Sequence, residues 1–315
     1  MKKKVIIAVL CVVLTISCVS MLFACGGAKT KIKMVGIDLS SEEYAFAIKK
    51  GDTELLNTVN KFFDDKDADI KAIFAKYTAE GVDLNDATKF GSDSIKTTPS
   101  NSDKELVVAT NLEFAPFEYT IGSKIAGIDM EIAQMLADYM GKELVVVHMD
   151  FDAVVTSVET KPEYDIGIAG LTVTPERQES VQFSKTYFGA TQVLITKEGD
   201  TTFDDCKSAK EVEAKLKTLS GAAAKCGGPT GTTSQFYVKG SEDFGFEGFS
   251  NPSFGNYSSA AEAVNDMITA MADRLTNGTG QADITRNILF EKGEKLGTDL
   301  EQTIVLEEQD LSVHA

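Results

Sequence analysis

The chain has 315 residues, of which 43% are hydrophobic and 25% are charged, and its formal net charge is -17 at pH 7. This length and composition are typical of a folded protein with room for two lobes, and so acidic a surface disfavours a nucleic-acid partner. The two histidines, His148 and His314, leave little material for a histidine-rich metal site or a Ser-His-Asp triad. We therefore expect neither a nucleic-acid partner nor a cofactor.

The first 24 residues have the pattern of an export signal. Three lysines precede an almost wholly apolar run at residues 5–19, which is too short to be preferred as a permanent membrane span. The following "LFAC" resembles the point at which a bacterial lipoprotein signal ends before its lipid-modified cysteine. We expect residues 1–24 to be a signal peptide and Cys25 to carry the lipid. Alternatives are lipidation at Cys18, plain secretion or an uncleaved anchor.

A strand, a turn and a helix are predicted within residues 37–65. Tyr44, Phe46 and Ile48 alternate with alanines, which is the period-2 pattern of a half-buried strand. Asp52 is a good N-cap for a helix with a one-sided apolar stripe. The residues of that stripe are Leu55, Leu56, Val59, Phe62 and Phe63. Both elements need a partner surface, and nothing immediately before them supplies one.

The residue composition and pattern of the chain then change twice. Residues 68–77 extend the helical pattern, whereas residues 78–103 are rich in Asp, Asn, Ser, Thr and Gly and predict a linker. From residue 104 onward predicted strands ("ELVVAT", "ELVVVHMD", "YDIGIAG", "QVLITK") alternate with helices such as "GIDMEIAQMLADYMG". This alternation indicates βαβ units on mainly parallel sheets flanked by helices. We assign residues 104–198 to a first lobe.

Residues 199–300 are assigned to a second lobe, and residues 301–315 to a hinge or terminal strand. The second lobe has a predicted helix ending near Gly221, a strand at "AAAKCGG" and a capping-box pattern that begins at Ser259. Cys206 and Cys226 lie in this lobe. A disulfide between them in an exported protein and two separate buried residues are equal alternatives.

The stretch "AGLTVTPERQESVQFSKTYF", residues 169–188, is the candidate ligand-binding loop. Gly170 permits close backbone approach, and Thr172 offers a hydroxyl at the carboxyl end of a strand, where open α/β sheets bind their ligands. An arginine beside such donors, here Arg177, suits a planar carboxylate. On spacing alone, however, a surface salt bridge is the favoured interpretation of Arg177.

Four motifs, taken together, favour ligand binding by Arg177 over a surface salt bridge. In chain order they are "ATNLEFAPFEY", "GIDMEIAQMLADYMG", "LTVTPER" followed by "FSKTYF", and "TGTTSQFYVKG". Between residues 104 and 260 the chain closely resembles the family 3 extracellular solute-binding proteins. The resemblance implies a two-lobe, type II periplasmic-binding-protein-like α/β fold with its ligand cleft at the hinge. It also implies a monomeric, non-enzymatic protein, lipid-anchored outside the cytoplasm, that captures a polar or charged amino acid for the permease of an ABC importer.

The same resemblance assigns roles to individual residues. Arg177 and Thr172 would bind the α-carboxylate of the amino acid, and Thr233 would contact it from the other lobe. Phe114 would lie against the ligand side chain, with core packing as its alternative, and Thr232 has the alternative of a helix N-cap. The full set of implied ligand-binding residues is Asn111, Phe114, Gly170, Leu171, Thr172, Arg177, Thr232, Thr233 and Asp283.

One part of the family pattern is incomplete. The family usually supplies a carboxylate for the α-amine after a strand of the second lobe, in a motif with two acids and a nearby Pro-Ala. Asp283 in "GQADITRNILFEKG" matches the first acid, but the second acid and the Pro-Ala are missing. Asp283, or Glu113 across the cleft, are the candidates, because an ammonium buried without a partner is costly.

Residues 37–65 resemble the family's C-terminal piece, although they stand near the start of this chain. The C-terminal segment reaches "QDLS" at residues 309–312, and the early segment resumes at "IDLSSEEY". A circular permutation would bring residues 25–77 back onto the first lobe. A remnant of a neighbouring gene fused to a truncated one and an unrelated spacer are the alternatives. The segment itself is expected to bind no ligand.

Two further functional hypotheses remain. One is a dehydratase-like enzyme on the same scaffold, for which Glu113 is the only acid that we nominate. The other is a rearranged homologue that has lost its ligand.

Overall fold

The computed structural model describes residues 32–79, 82–100, 102–197, 199–219, 225–242, 245–250, 252–260, 262–264, 266 and, for the backbone alone, 287–294. The described strands are β1 Ile32–Val35, β2 Glu42–Tyr44, β3 Ala47–Lys49, β4 Glu105–Thr110, β5 Glu113–Phe114, β6 Glu118–Ile121, β7 Lys124–Ala126, β8 Glu143–His148, β9 Ile166–Gly167, β10 Val181–Phe183, β11 Phe188–Lys197, β12 Lys225–Pro229, β13 Ser253–Tyr257 and β14 Asn287–Glu294. The described helices are α1 Thr53–Asp65, α2 Asp67–Tyr77, α3 Ile128–Met140, α4 Ala153–Thr160, α5 Pro175–Ser180, α6 Ala209–Thr218 and α7 Thr233–Lys239.

Lobe 1 is built on a five-stranded sheet with the order β10-β3-β9-β4-β8. β4 pairs in parallel with β8 and with β9, and helices α3 and α4 make the connections that parallel neighbours require. β3 and β10 join antiparallel at one edge. A separate antiparallel sheet, β5-β6-β7, follows β4 in the chain. The prediction of mainly parallel sheets therefore holds only for the central strands.

Lobe 2 is built on a six-stranded sheet with the order β1-β11-β14-β12-β13, in which β2 also pairs with β11. β12 is parallel to β13 and β14, whereas β11 runs antiparallel to β1, β2 and β14. The strand "QVLITK", predicted to end lobe 1, is part of β11 and pairs in this second sheet. The sheet boundary thus lies between residues 183 and 188, earlier than the predicted boundary at 198. β1 and β14 are strands that the sequence did not lead us to expect.

Two segments of the described chain cross between the lobes side by side. One is residues 45–46, between β2 and β3, and the other is residues 184–187, between β10 and β11. Phe46 and Ser184 exchange hydrogen bonds of 3.0 Å, and the Tyr187 N–H donates to the Tyr44 carbonyl at 2.9 Å. The N-terminal segment therefore supplies strands to both sheets and half of the hinge, rather than packing on lobe 1 alone.

The same segment completes the core of lobe 1. Tyr44, Phe46 and Ile48 are at most 1% exposed and lie in one apolar cluster with Leu106 and Leu136. The expected half-buried strand is wrong, because residues 44–48 are buried on both faces. Contact between this segment and lobe 1, which the permutation hypothesis requires, is present in the structure.

Helix α1 forms as predicted. The Asp52 carboxylate accepts a hydrogen bond from the Leu55 N–H at 2.9 Å and so caps the helix. Leu55, Val59 and Phe62 form the buried stripe. The Phe62 ring packs edge-on against Tyr139 of α3, with centroids 5.5 Å apart. Helix α1 is thus a layer of lobe 1.

The described residues between α2 and β4 (78–79, 82–100 and 102–104) form no helix or named strand, and they are anchored to lobe 1. Leu84 and Phe90 are buried, and the Tyr119 hydroxyl donates to the Leu84 carbonyl at 3.0 Å. Glu105, at the start of β4, accepts hydrogen bonds from the N–H and hydroxyl of Ser100. The described part of this connection is therefore packed on lobe 1 and is not a free linker.

Both cysteines of lobe 2 are free thiols in the structure, so the disulfide alternative is not realised here. Cys226 is 0% exposed, and burial raises its pKa to about 12, which keeps the thiol un-ionised at neutral pH. Among the helices within the described ranges, none combines the length and the apolarity needed to cross a membrane.

Candidate functional site

The loop after β9 carries the lobe 1 half of the site. At Gly170 the backbone has φ +51°, and a Cβ there would lie 2.9 Å from the Phe114 ring. A glycine is therefore required by both conformation and space. The Gly170 N–H donates to Asp129 at 2.9 Å, and the Leu171 carbonyl accepts from Ala45 of the hinge at 3.0 Å. These bonds fix the loop against lobe 1 and the hinge.

Arg177 is positioned by the first turn of α5. Thr174 caps that helix by accepting from the Arg177 N–H at 3.1 Å, and Pro175 supplies the fixed φ favoured there. The guanidinium donates to the Thr172 carbonyl at 2.8 Å and stacks over the Phe151 ring at 5.3 Å. Arg177 is thus held in place by hydrogen bonds and ring stacking.

The lobe 2 half of the site is the turn between β12 and α7. Thr232 is the residue that precedes the helix, but its hydroxyl donates to the Pro229 carbonyl at 2.8 Å and does not cap the helix. Gly231 reaches across to lobe 1, because its carbonyl accepts from the Arg177 guanidinium at 3.2 Å. A Cβ on Gly231 would lie 2.7 Å from the Asp152 side chain. The two lobes therefore meet directly at this site.

A carboxylate from the N-terminal segment lies where the lobes meet. Oε2 of Glu42 accepts from the Thr172 hydroxyl of lobe 1 at 2.8 Å and from the Thr233 hydroxyl of lobe 2 at 2.7 Å. Oε1 accepts from the Ser40 hydroxyl and the Gln192 amide, both at 3.0 Å. Glu42 is 5% exposed. Hydroxyls that the family resemblance assigns to ligand binding are thus bonded to an acid that the sequence reasoning missed.

The other predicted residues are placed as follows. Asn111 is buried, and its amide donates to the Met149 carbonyl at 3.0 Å. Phe114 is half-buried and stacks on Phe117 with centroids 5.3 Å apart. Glu113, nominated for an enzyme, is exposed in β5. Asp283 and Cys25 lie outside the described residues.

A buried acid, Asp129, is hydrogen-bonded to the candidate ligand-binding loop that follows β9. Asp129 is 0% exposed and accepts from the Gly170 N–H and from the Tyr187 hydroxyl at 2.7 Å. Burial raises the pKa of this carboxyl, and hydrogen bonds with Gly170, Tyr187 and the equally buried Glu118 partly offset the rise. Burial outweighs these hydrogen bonds, so the Asp129 carboxyl, with its raised pKa, holds a proton more readily than an exposed aspartate does.

We expect this carboxyl to make the folded protein less stable as pH rises. The folded pKa of Asp129 lies above its ordinary value of 3.8, so between the two the native state binds more protons than the unfolded state. Its contribution is fully present below the ordinary pKa and is lost as pH rises through the folded pKa. Asp129→Asn should flatten this part of the profile, as measured by denaturant unfolding between about pH 4 and pH 8. Parallel profiles for the two proteins would contradict the assignment.

Metal ligands are not grouped at the site: within the described ranges, no three side chains of His, Cys, Asp or Glu are placed to hold a metal ion. What the arrangement offers is a set of hydroxyls, a guanidinium and backbone groups from both lobes. Such donors recognise a polar, carboxylate-bearing molecule.

Parts of the chain are similar in sequence to known proteins. Residues 106–310 match the family described as bacterial extracellular solute-binding proteins, family 3. The arginine-binding extracellular protein ArtP of Bacillus subtilis strain 168 is 36% identical over 107 residues, which are 34% of this chain and 41% of that protein. ABC transporter arginine-binding protein 1 of Escherichia coli strain K12 is 30% identical over 128 residues, covering 40% of this chain and 46% of that protein. The chain thus spans less than half the length of these curated relatives.

A solved structure is also similar. The putative binding component of an ABC transporter from Wolinella succinogenes DSM 1740, complexed with lysine, is 24% identical to this chain. The superposition covers 60% of this chain and 69% of that one, with a TM-score of 0.45.

Proposed function

This chain belongs to the bacterial extracellular solute-binding proteins of family 3, and from that premise we propose that it captures a free amino acid between its two lobes. The observation that carries the proposal is the convergence of Thr172 and Arg177 from lobe 1 with Thr233 from lobe 2. Hydroxyls and a planar guanidinium are the donors that suit an α-carboxylate. A ligand held by both lobes favours the closed arrangement over an open one.

The remaining cleft residues take supporting roles in this proposal. Main-chain groups at Gly170 and Leu171 line the carboxylate position, and Thr232 completes the lobe 2 wall. Phe114 offers a ring face to the ligand side chain, and Asn111 faces its polar end. Asp283 remains a candidate outside the described residues.

The preferred ligand in this proposal is a basic amino acid. Two of the similar proteins are named as arginine-binding proteins. A net charge of -17 attracts cations toward the protein and repels anions. An aromatic ring such as Phe114 can also stack with a guanidinium or ammonium group.

Delivery to an ABC importer is the proposed outcome of binding. Two hinge segments, at residues 45–46 and 184–187, allow the lobes to close as rigid bodies around a ligand. The closed form would dock on the permease as a monomer. The lipoprotein-like signal before Cys25 supports a protein anchored by lipid on the outer side of the cell membrane.

We also propose that the chain is a circular permutant of the usual family order. Its support is the burial of residues 44–48 and of helix α1 in the core of lobe 1, and the pairing of β3 with β9 and β10. In this proposal, the connection between α2 and β4, of which Leu84 and Phe90 are buried, joins the former chain end to the start of lobe 1.

Isothermal titration with each of the common amino acids tests the proposed function. We expect saturable binding of at least one basic amino acid, with weaker or no binding of acidic ones. Absence of binding for every amino acid at about 1 mM, which corresponds to a binding free energy of about -4 kcal/mol, would contradict the proposal.

A further inference from the structure

Glu42 is a buried acid without a countercharge in the described chain. Its carboxylate accepts hydrogen bonds from four neutral donors: Ser40, Thr172, Gln192 and Thr233. None of the ion pairs among the residues that the structure describes involves Glu42. A buried charge is costly unless it is paired with an opposite charge as well as hydrogen-bonded. The site is therefore built to receive a cation.

The position of this acid identifies which cation fits. Oε2 bridges one hydroxyl from each lobe, so a group that meets it must lie in the cleft between them. Under the proposed function, on which this inference rests, those hydroxyls bind the α-carboxylate of an amino acid. The α-ammonium is attached to the same carbon as that carboxylate and so lies beside it.

We propose that Glu42 binds the α-ammonium group of the ligand. When the amino acid enters, its ammonium donates to Oε2, and the hydroxyls of Thr172 and Thr233 turn to donate to the ligand carboxylate. Hydroxyl hydrogens rotate freely enough to make this exchange. In the structure, the same hydroxyls donate to the Glu42 carboxylate. The amine partner is thus supplied by β2, a strand of the N-terminal segment that pairs with β11 in the lobe 2 sheet.

The adjacent Glu43 offers a matched control. Glu42 is buried, whereas Glu43 is exposed on the same strand. Glu42→Gln and Glu43→Gln therefore remove the same charge one residue apart. Glu42→Asp keeps the charge but withdraws the carboxylate by one methylene. Thermal unfolding of each variant checks that it is folded, and Glu42→Asp keeps the test available if Glu42→Gln does not fold.

The probes are L-arginine, L-histidine and L-lysine, each paired with the carboxylic acid that lacks its α-amine, in calorimetric titrations. Loss of one partner of a buried charge pair weakens binding by at least about tenfold. We expect that loss for the amino acids with Glu42→Gln and Glu42→Asp, no change with Glu43→Gln, and no loss for the deaminated analogues with any variant.

Three results would overturn the proposal. Tighter binding by Glu42→Gln would mean that Glu42 competes with the ligand carboxylate for the two hydroxyls. Equal losses of affinity for the amino acids and their deaminated analogues would mean that Glu42 only stabilises the contact between the two lobes. Unchanged binding by a folded Glu42 variant would mean that the acid has no role in binding. If the unaltered protein binds none of the three amino acids, the proposed preference for a basic amino acid fails, and this inference fails with it.

Discussion

Arg177→Lys is expected to weaken amino-acid binding by a factor of about 30 or more, because losing a charge-assisted contact in a buried site costs about 2 kcal/mol or more. Lysine keeps the charge but cannot reproduce the planar fork that holds a carboxylate through two parallel bonds. Its single nitrogen also replaces the two guanidinium nitrogens, Nη1 and Nη2, through which Arg177 donates to the Thr172 and Gly231 carbonyls. Isothermal titration with the best-bound amino acid measures the loss.

Gln178→Ala is the control for that experiment. Gln178 is exposed on the same short helix, so its removal tests whether any disturbance of α5 is enough to weaken binding. We expect the control to bind as the unaltered protein does. Retention of full affinity by Arg177→Lys would mean that the guanidinium is a structural link between lobes and not a ligand contact.

Local motifs in the sequence led to most residues of the candidate site, but they did not lead to Glu42, which contacts both Thr172 and Thr233. Gly170, Thr172 and Arg177 follow one strand, so their proximity could be inferred from chain order and the usual place of ligands at strand ends. Glu42 lies 130 residues from Thr172 and 191 from Thr233, and the segment around it was expected to bind nothing. A contact between residues so far apart in the sequence depends on strand pairing in both sheets. The available signal was Glu42 itself, a charged residue two positions before Tyr44, in a segment that resembles the family's C-terminal piece.

The fold shows the same division between local and distant information. Helices α1 and α3 were predictable because capping residues and apolar stripes lie within a few turns: Asp52 begins α1, and Gly141, at φ 67°, ends α3. The sheet to which β11 belongs was not predictable. A strand that is buried on both faces appears in the sequence only as an apolar run, and such a run does not identify the neighbouring strands. β1 is four residues long and half-buried, too short for a clear period.

Phe62→Ala is expected to lower the free energy of unfolding by about 3–5 kcal/mol, the usual cost of removing a buried phenylalanine ring. Phe62 is 0% exposed, and its ring contacts Tyr139 of α3 and Phe63 of its own helix. The size of the effect follows from the position of the N-terminal segment, because the cavity would open inside the core of lobe 1. Guanidinium-induced unfolding followed by circular dichroism measures it.

Asn57→Ala on the exposed side of α1 is the matched control. Both changes raise the intrinsic helix propensity of α1, so a loss seen only for Phe62→Ala reports packing against lobe 1 rather than a weakened helix. The same pair of variants distinguishes the origins considered for the segment. A spacer that merely precedes the lobes would tolerate both changes, whereas a segment that completes the lobe, as a permuted chain requires, tolerates only the exposed one. Equal, small effects of the two changes would therefore contradict the circular permutation.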